Sequence, residues 1–70
     1  MTKRKEILRR LRKAAREADV EVTEREGGNH TLLILDALRI PVGRHSEIPD
    51  VMAEKIYIEA EPKLGKDWWK

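Results

Sequence analysis

Two histidines, His30 and His45, are the side chains of this 70-residue chain that best suit acid–base chemistry. An unperturbed imidazole has a pKa of about 6.5, so it can accept or donate a proton near neutral pH. His30 directly follows Gly27, Gly28 and Asn29. The main-chain N–H groups of such a glycine turn can donate to an anionic oxygen that approaches closely. The pattern therefore predicts proton transfer beside an anionic oxygen, centred on His30.

Other familiar kinds of site lack support in the sequence. There is no cysteine, no His-Glu-x-x-His, no glycine-rich phosphate loop followed by lysine, and no carboxylate spacing typical of a two-metal site. We therefore expect no metal and no small-molecule cofactor. The lack of cysteine also favours a reducing compartment, which we take to be the cytoplasm. No apolar run is long enough for a membrane span, so we expect no membrane partner.

Positive charge is concentrated at the N-terminal end of the chain. Residues 1 to 16 hold eight Lys or Arg and one Glu, a net charge of +7, and since the whole chain has +2, the remainder carries −5. Such a field attracts polyanions, so nucleic acid is the first partner to consider. RNA suits a histidine site because it carries its own nucleophile, the 2′-OH, which attacks the adjacent phosphorus once a base removes its proton. We therefore predict metal-independent RNA cleavage.

Several cations are candidates for contact with RNA phosphates. Near His30 these are Lys13, Arg39 and Arg44, and spacing alone does not choose among them. A further set lies along the first predicted helix and forms its predicted RNA-binding face: Lys5, Arg9, Arg10, Arg12 and Arg16.

Apolar periodicity predicts one helix, three strands and a second helix. The first helix begins after Thr2, a candidate N-cap, and runs to about Asp19, because its apolar residues recur at helical spacing. The predicted strands cover residues 20 to 24, 31 to 35 and 38 to 42, joined by a glycine turn, in which Asn29 suits a left-handed position, and by a reversal at Asp36-Ala37. Pro41 suits an edge strand because it has no N–H to donate.

The predicted second helix begins at Pro49-Asp50 and ends before Pro62, with residues 43 to 48 as a loop. Its apolar stripe is Met52, Ala53, Ile56 and Ala60. The expected fold class is α+β, with a three-stranded antiparallel sheet and both helices on one face. We expect a single domain over residues 1 to 65 and a short tail over 66 to 70.

Three strings in this order resemble the HicA toxins of HicA–HicB toxin–antitoxin systems. They are residues 4 to 11, the glycine turn Glu26 to His30, and the segment Ile40 to Ile48. The resemblance spans roughly residues 3 to 65. It implies a fold like that of double-stranded-RNA-binding domains and the activity of a ribosome-independent mRNA interferase, an endoribonuclease held inactive by a HicB-like antitoxin protein.

The resemblance also implies roles for individual residues. The family's catalytic histidine falls on His30, with Gly28 shaping its turn. His45 matches a histidine that commonly follows the third strand, for which we expect a phosphate-binding or acid role.

Simpler interpretations remain open beside these. A histidine after a Gly-Gly turn is often only a turn residue, and the pair Trp68 and Trp69 suits packing or partner contact better than base stacking. Two other functions stay open. One is a non-catalytic RNA-binding module of the same fold, and the other is a protein-interaction partner whose basic helix docks on an acidic surface.

Overall fold

Alternating apolar and polar residues in the middle of the chain form an antiparallel sheet in a computed structural model that describes all residues from 1 to 70. The strands are β2, Val22–Glu26, β3, His30–Leu35, and β4, Leu38–Gly43, in the spatial order β2-β3-β4. A two-residue strand β1, Thr2–Lys3, precedes the first helix and pairs with β5, Glu47–Ile48. The three helices are α1, Arg4–Glu17, α2, Asp50–Glu59, and α3, Glu61–Leu64.

The register of the sheet sends one set of side chains towards the helices. Leu33 lies opposite Ile40 and Glu24, and Leu35 lies opposite Leu38 and Val22. The fully buried residues of the three strands all point to the same face of the sheet as Leu33 and Leu35. They are Thr31, Leu33, Leu35, Ile40 and Val42. Leu32 and Ile34, which point to the other face, are only half-buried. The helices therefore cover one face of the sheet and leave the opposite face open.

The first helix supplies four residues of the core. Its buried residues Ile7, Leu8, Leu11 and Ala15 lie on one side of α1. They join the inward strand residues and four residues of α2 and its end, Ala53, Ile56, Tyr57 and Ala60, in a single cluster of 13 buried side chains. None of the helices combines the length and apolarity that a bilayer crossing demands.

The predicted order of helix, three strands and helix is confirmed, but the predicted N-cap and the predicted loop before the second helix are wrong. Thr2 does not cap α1, because its hydroxyl donates instead to Asp50 Oδ1 at 2.8 Å, and Lys3 occupies the cap position without a side-chain bond. The predicted loop over residues 43 to 48 contains β5, a strand too short for alternation to reveal. The second helix ends before Pro62, as predicted, but a separate short helix, α3, follows it and contains Pro62.

Pro62 is tolerated because it occupies the second position of α3, where a backbone N–H needs no helical partner. Within α2, Met52 was expected in the apolar stripe but is 51% exposed, whereas Tyr57 is only 5% exposed and takes its place in the core. The other three predicted stripe residues, Ala53, Ile56 and Ala60, are buried, so the predicted apolar face is wrong only at Met52.

The C-terminal tryptophans pack against Tyr57. The Trp68 ring meets the Tyr57 ring edge-on at 5.3 Å between centroids, and its Nε1 donates to the Tyr57 carbonyl at 2.8 Å. Trp69 stacks on the other side at 5.8 Å. Arg10 lies over the Tyr57 ring and donates to the Trp69 carbonyl at 2.7 Å, which fastens the tail to α1.

Candidate functional site

His30 stands at the first position of β3, directly after the turn of residues 27 to 29. The turn is closed by the Gly27 N–H, which donates to the His30 carbonyl at 2.9 Å. Neither glycine of the turn has a positive φ, and Asn29 does not take the left-handed conformation expected of it. A Cβ at Gly28 would meet nothing within 4 Å. Gly28 therefore leaves the backbone beside His30 open to solvent, whereas a Cβ at Gly27 would lie 3.3 Å from the His30 carbonyl oxygen.

The imidazoles of His30 and His45 line the same cleft. Gly43 lies opposite His30 in the β3–β4 ladder, so the chain leaving β4 brings His45 back to the start of β3. We call this open space, lined by residues 28 to 30 and 43 to 45, the histidine cleft. Both histidines are exposed and neither imidazole takes part in a side-chain hydrogen bond of the chain. Both ring nitrogens of each are therefore free to meet a ligand.

The two histidines also face an apolar groove on the side of the second helix. This groove runs between β4 and α2, and both His30 and His45 belong to its rim. Its three hydrophobic lining residues are Ile48, Met52 and Ile56. The histidines thus lie where a charged cleft and an apolar groove meet.

A polar network fixes the backbone beside His30. Thr31 is fully buried, and its hydroxyl accepts from Arg4 Nη2 and donates to Glu26 Oε1 at 3.0 Å. Arg44 Nη2 contacts the same Glu26 oxygen at 2.7 Å and also donates to the Gly27 carbonyl. The network therefore ties α1, the turn and the loop that carries His45 into one unit.

The structure separates the candidate phosphate contacts near His30. Arg44 lines the histidine cleft with His45. Arg39 lies opposite Ile34, four residues along β3 from His30, which is about 13 Å at the usual rise of a strand. Lys13 lies on α1 beside Glu17 and Trp68. Neither Lys13 nor Arg39 is placed with the histidines.

Part of the predicted basic face of α1 is neutralised within the chain. Arg12 makes a two-pronged contact with Glu24 at 2.7 Å, and Arg9 Nη2 lies 3.3 Å from Glu6. Arg10 is held by the C-terminal tail. Lys5 and Arg16 have no ion-pair partner. The cations of α1 that lack a carboxylate partner are therefore spread along the whole helix and are Arg4, Lys5, Arg10, Lys13 and Arg16.

Sequence reasoning missed Arg4, Glu26 and Thr31. Nothing local marks them, because their contacts join residues 5 to 39 positions apart. The one sequence signal is a threonine at an inward-facing position of an apolar strand, because a buried hydroxyl needs hydrogen-bond partners.

One group in the chain has a clearly shifted pKa, and it lies away from the histidine cleft. The Thr2 hydroxyl and, next, the N-terminal ammonium hold the pKa of Asp50 below its ordinary value. No group of three or more His, Asp or Glu side chains is gathered as metal ligands.

Comparison of the chain with protein-family models, with curated proteins and with solved structures gives no match. The case for a function therefore rests on the residues and on the geometry of the histidine cleft.

Proposed function

We propose that this chain is a HicA-like endoribonuclease that cuts mRNA by attack of the substrate's own 2′-OH, with His30 as the essential acid or base. The observation that carries the proposal is the shared cleft of His30 and His45. Two unengaged imidazoles beside an open glycine turn and a fixed arginine are what transfer of two protons at one phosphate requires.

In the proposed reaction, one imidazole removes the 2′-OH proton as the 2′ oxygen forms its bond to phosphorus. The bond from phosphorus to the 5′ oxygen breaks, and the other imidazole gives that oxygen a proton. The products are a 2′,3′-cyclic phosphate and a 5′-OH. A positioned acid or base contributes roughly 10² to 10⁴-fold in rate, or about 3–5 kcal/mol of barrier.

The neighbouring groups have supporting roles in this proposal. The open backbone at Gly28 and Asn29 lets the phosphate approach His30 closely and offers N–H donors to its developing charge. Arg44, held by Glu26, adds a fixed cation at the same wall. The fold is then that of double-stranded-RNA-binding domains, used here to present a cutting site.

A HicB-like antitoxin is the protein partner in this proposal. An apolar groove next to a charged cleft offers burial for a protein side chain and pairing for its charges. A partner seated there would cover both histidines and block access of RNA. The proposed toxin acts in the cytoplasm.

The chemistry is tested by the ends of the RNA products. Purified protein is incubated with a labelled RNA in EDTA, alongside the same RNA with one 2′-deoxy nucleotide at the cut position. We expect cleavage of the first, blocked cleavage at the modified position in the second, and 2′,3′-cyclic phosphate or 3′-phosphate ends. Products with a 3′-OH, or cleavage that depends on a divalent metal, would contradict the proposed mechanism.

The function is tested in cells by inducible expression of the wild type and of His30→Ala, followed by analysis of total RNA. The wild type should arrest growth and fragment mRNA. The variant should do neither while keeping its fold and its affinity for an antitoxin.

A non-catalytic RNA-binding module is the second candidate. It is favoured by the lack of a hydrogen bond that orients either imidazole. This function predicts RNA binding without cleavage in the same assay.

A further inference from the structure

A second cleft, at the start of α1, is lined almost wholly by charged groups. Its volume is about 550 Å³ and it has no apolar lining residue. We call it the basic cleft, and its lining consists of Lys3, Arg4, Lys5, Arg44, Ser46 and Glu47. Four cations therefore face one carboxylate across a single concave space.

Three of the four cations of the basic cleft have no carboxylate partner within the chain, whereas Arg44 is paired with Glu26 at 2.7 Å. None of the six ion pairs involves Lys3, Arg4 or Lys5. Like charges gathered in a concavity repel one another and strengthen the local potential, so the arrangement favours a bound anion. Arg9 and Arg12, further along α1, differ because each already has a carboxylate partner.

Arg4 is prearranged to bind such an anion. Its Nε donates to the Gly43 carbonyl at 2.8 Å and its Nη2 to the Thr31 hydroxyl, which fixes the plane of the guanidinium. Its Nη1 has no acceptor in the chain and keeps two N–H donors free. A guanidinium held in this way loses little freedom when it binds a phosphate.

The basic cleft adjoins the histidine cleft. Arg44 belongs to the lining of both, and residues 43 to 46 run from one to the other. A polyanion that spans the two clefts can put one of its charges in each of them. A single small anion occupies only one cleft.

We propose that the basic cleft binds an RNA backbone phosphate next to the one held between His30 and His45. This inference rests on the proposed function for the identity of the polymer. It assigns Lys3, Arg4 and Lys5 to a phosphate subsite that fixes which bond of the strand reaches the histidines.

The test measures binding of a labelled 2′-O-methyl RNA oligonucleotide, which lacks the nucleophile and stays intact, by fluorescence anisotropy over a range of salt concentrations. The variant is Lys3→Ala/Lys5→Ala. The matched control is Lys63→Ala/Lys66→Ala, which removes the same charge at two exposed positions far along the chain. All four lysines are exposed, and the control loses only the surface pair of Lys63 with Asp36 at 3.7 Å. Such a pair contributes at most about 1 kcal/mol, so both variants should unfold close to the wild type.

We expect the variant in the basic cleft to bind several-fold more weakly. The slope of log K against log salt should become shallower by about 0.7 for each lost phosphate contact, with the control unchanged. The inference would be overturned if the wild type and the variant had the same slope of log K against log salt, or if the variant and the control lost the same affinity for RNA. An occupant of another class, such as an acidic segment of a protein partner, would give that result.

The inference and the proposed function fail separately. Cleavage of unmodified RNA with an unchanged slope in the variant would remove the phosphate subsite and leave the nuclease. If RNA binding by the wild type depends steeply on salt, the variant makes that dependence shallower, and the wild type does not cleave RNA, the phosphate subsite stands and the nuclease activity is ruled out. Failure of the wild type to bind RNA would overturn both.

Discussion

The buried hydroxyl of Thr31 offers a sharp test of the network beside His30. In Thr31→Val the shape of the side chain is kept, while hydrogen bonds to Arg4 and Glu26 are lost. A hydrogen bond to a charged group contributes about 1.5–3 kcal/mol, so two would contribute roughly 3–6 kcal/mol. Burial of the new methyl group returns about 0.8 kcal/mol. Arg4 and Glu26 are both accessible to solvent, so in the variant they can bond to water, which recovers part of the lost hydrogen-bond energy.

We therefore expect Thr31→Val to lower the free energy of unfolding by about 2 kcal/mol, which for a domain of this size lowers Tm by roughly 8–16 °C. The assay is thermal and urea unfolding followed by the fluorescence of the tryptophans packed on Tyr57. The matched control is Thr23→Val, on the exposed face of β2, which should change stability by less than about 0.5 kcal/mol. Equal stabilities of Thr31→Val and the wild type would refute the network.

Three further predictions concern other parts of the chain. Gly28→Ala should leave the free energy of unfolding unchanged or raise it by up to about 0.4–1 kcal/mol, because the added Cβ meets nothing and the φ of Gly28 is not positive. The same variant should slow RNA cleavage several-fold. An unchanged cleavage rate would count against close approach of the RNA backbone at this position. Tyr57→Phe should raise the free energy of unfolding by about 1 kcal/mol, because the Tyr57 hydroxyl is buried without a partner; a loss of stability in denaturant unfolding would disprove this. Thr2→Val should raise the pKa of Asp50, measured by NMR titration, because the Thr2 hydroxyl is the main cause of its lowering. Since the pKa of Asp50 is lower in the folded than in the unfolded state, the ionised Asp50 stabilises the fold above its unfolded pKa, and this stabilisation is lost as pH falls below about 4. The free energies of unfolding of wild type and variant should therefore converge at low pH.

Local periodicity explains why the main elements could be predicted from the sequence. The apolar positions of α1 and the alternation in β2 depend on neighbours a few residues away, so they are visible in the sequence. The pair β1 and β5 could not be found this way. Two-residue strands show no alternation, and their partner lies more than 40 residues along the chain.

The candidate site was only partly visible for the same physical reason. His30 and its turn are adjacent in sequence, and its register with Gly43 follows from a short hairpin. By contrast, the contacts that neutralise Arg12 and restrain Arg10 join distant residues and depend on how the helices pack. The basic cleft likewise exists only because residues 3 to 5 meet residues 44 to 47. Charge counting therefore indicated a positive surface, but the packing decides which cations remain free.

The proposed nuclease activity depends most on the role of His30. The direct measurement is the initial rate at which purified wild type and His30→Ala cleave a labelled RNA in the presence of EDTA. Because the His30 side chain is exposed and makes no hydrogen bond, the variant should unfold at the wild-type temperature. We expect its cleavage rate to fall by roughly 10² to 10⁴-fold. Cleavage by a folded His30→Ala at the wild-type rate would contradict the account.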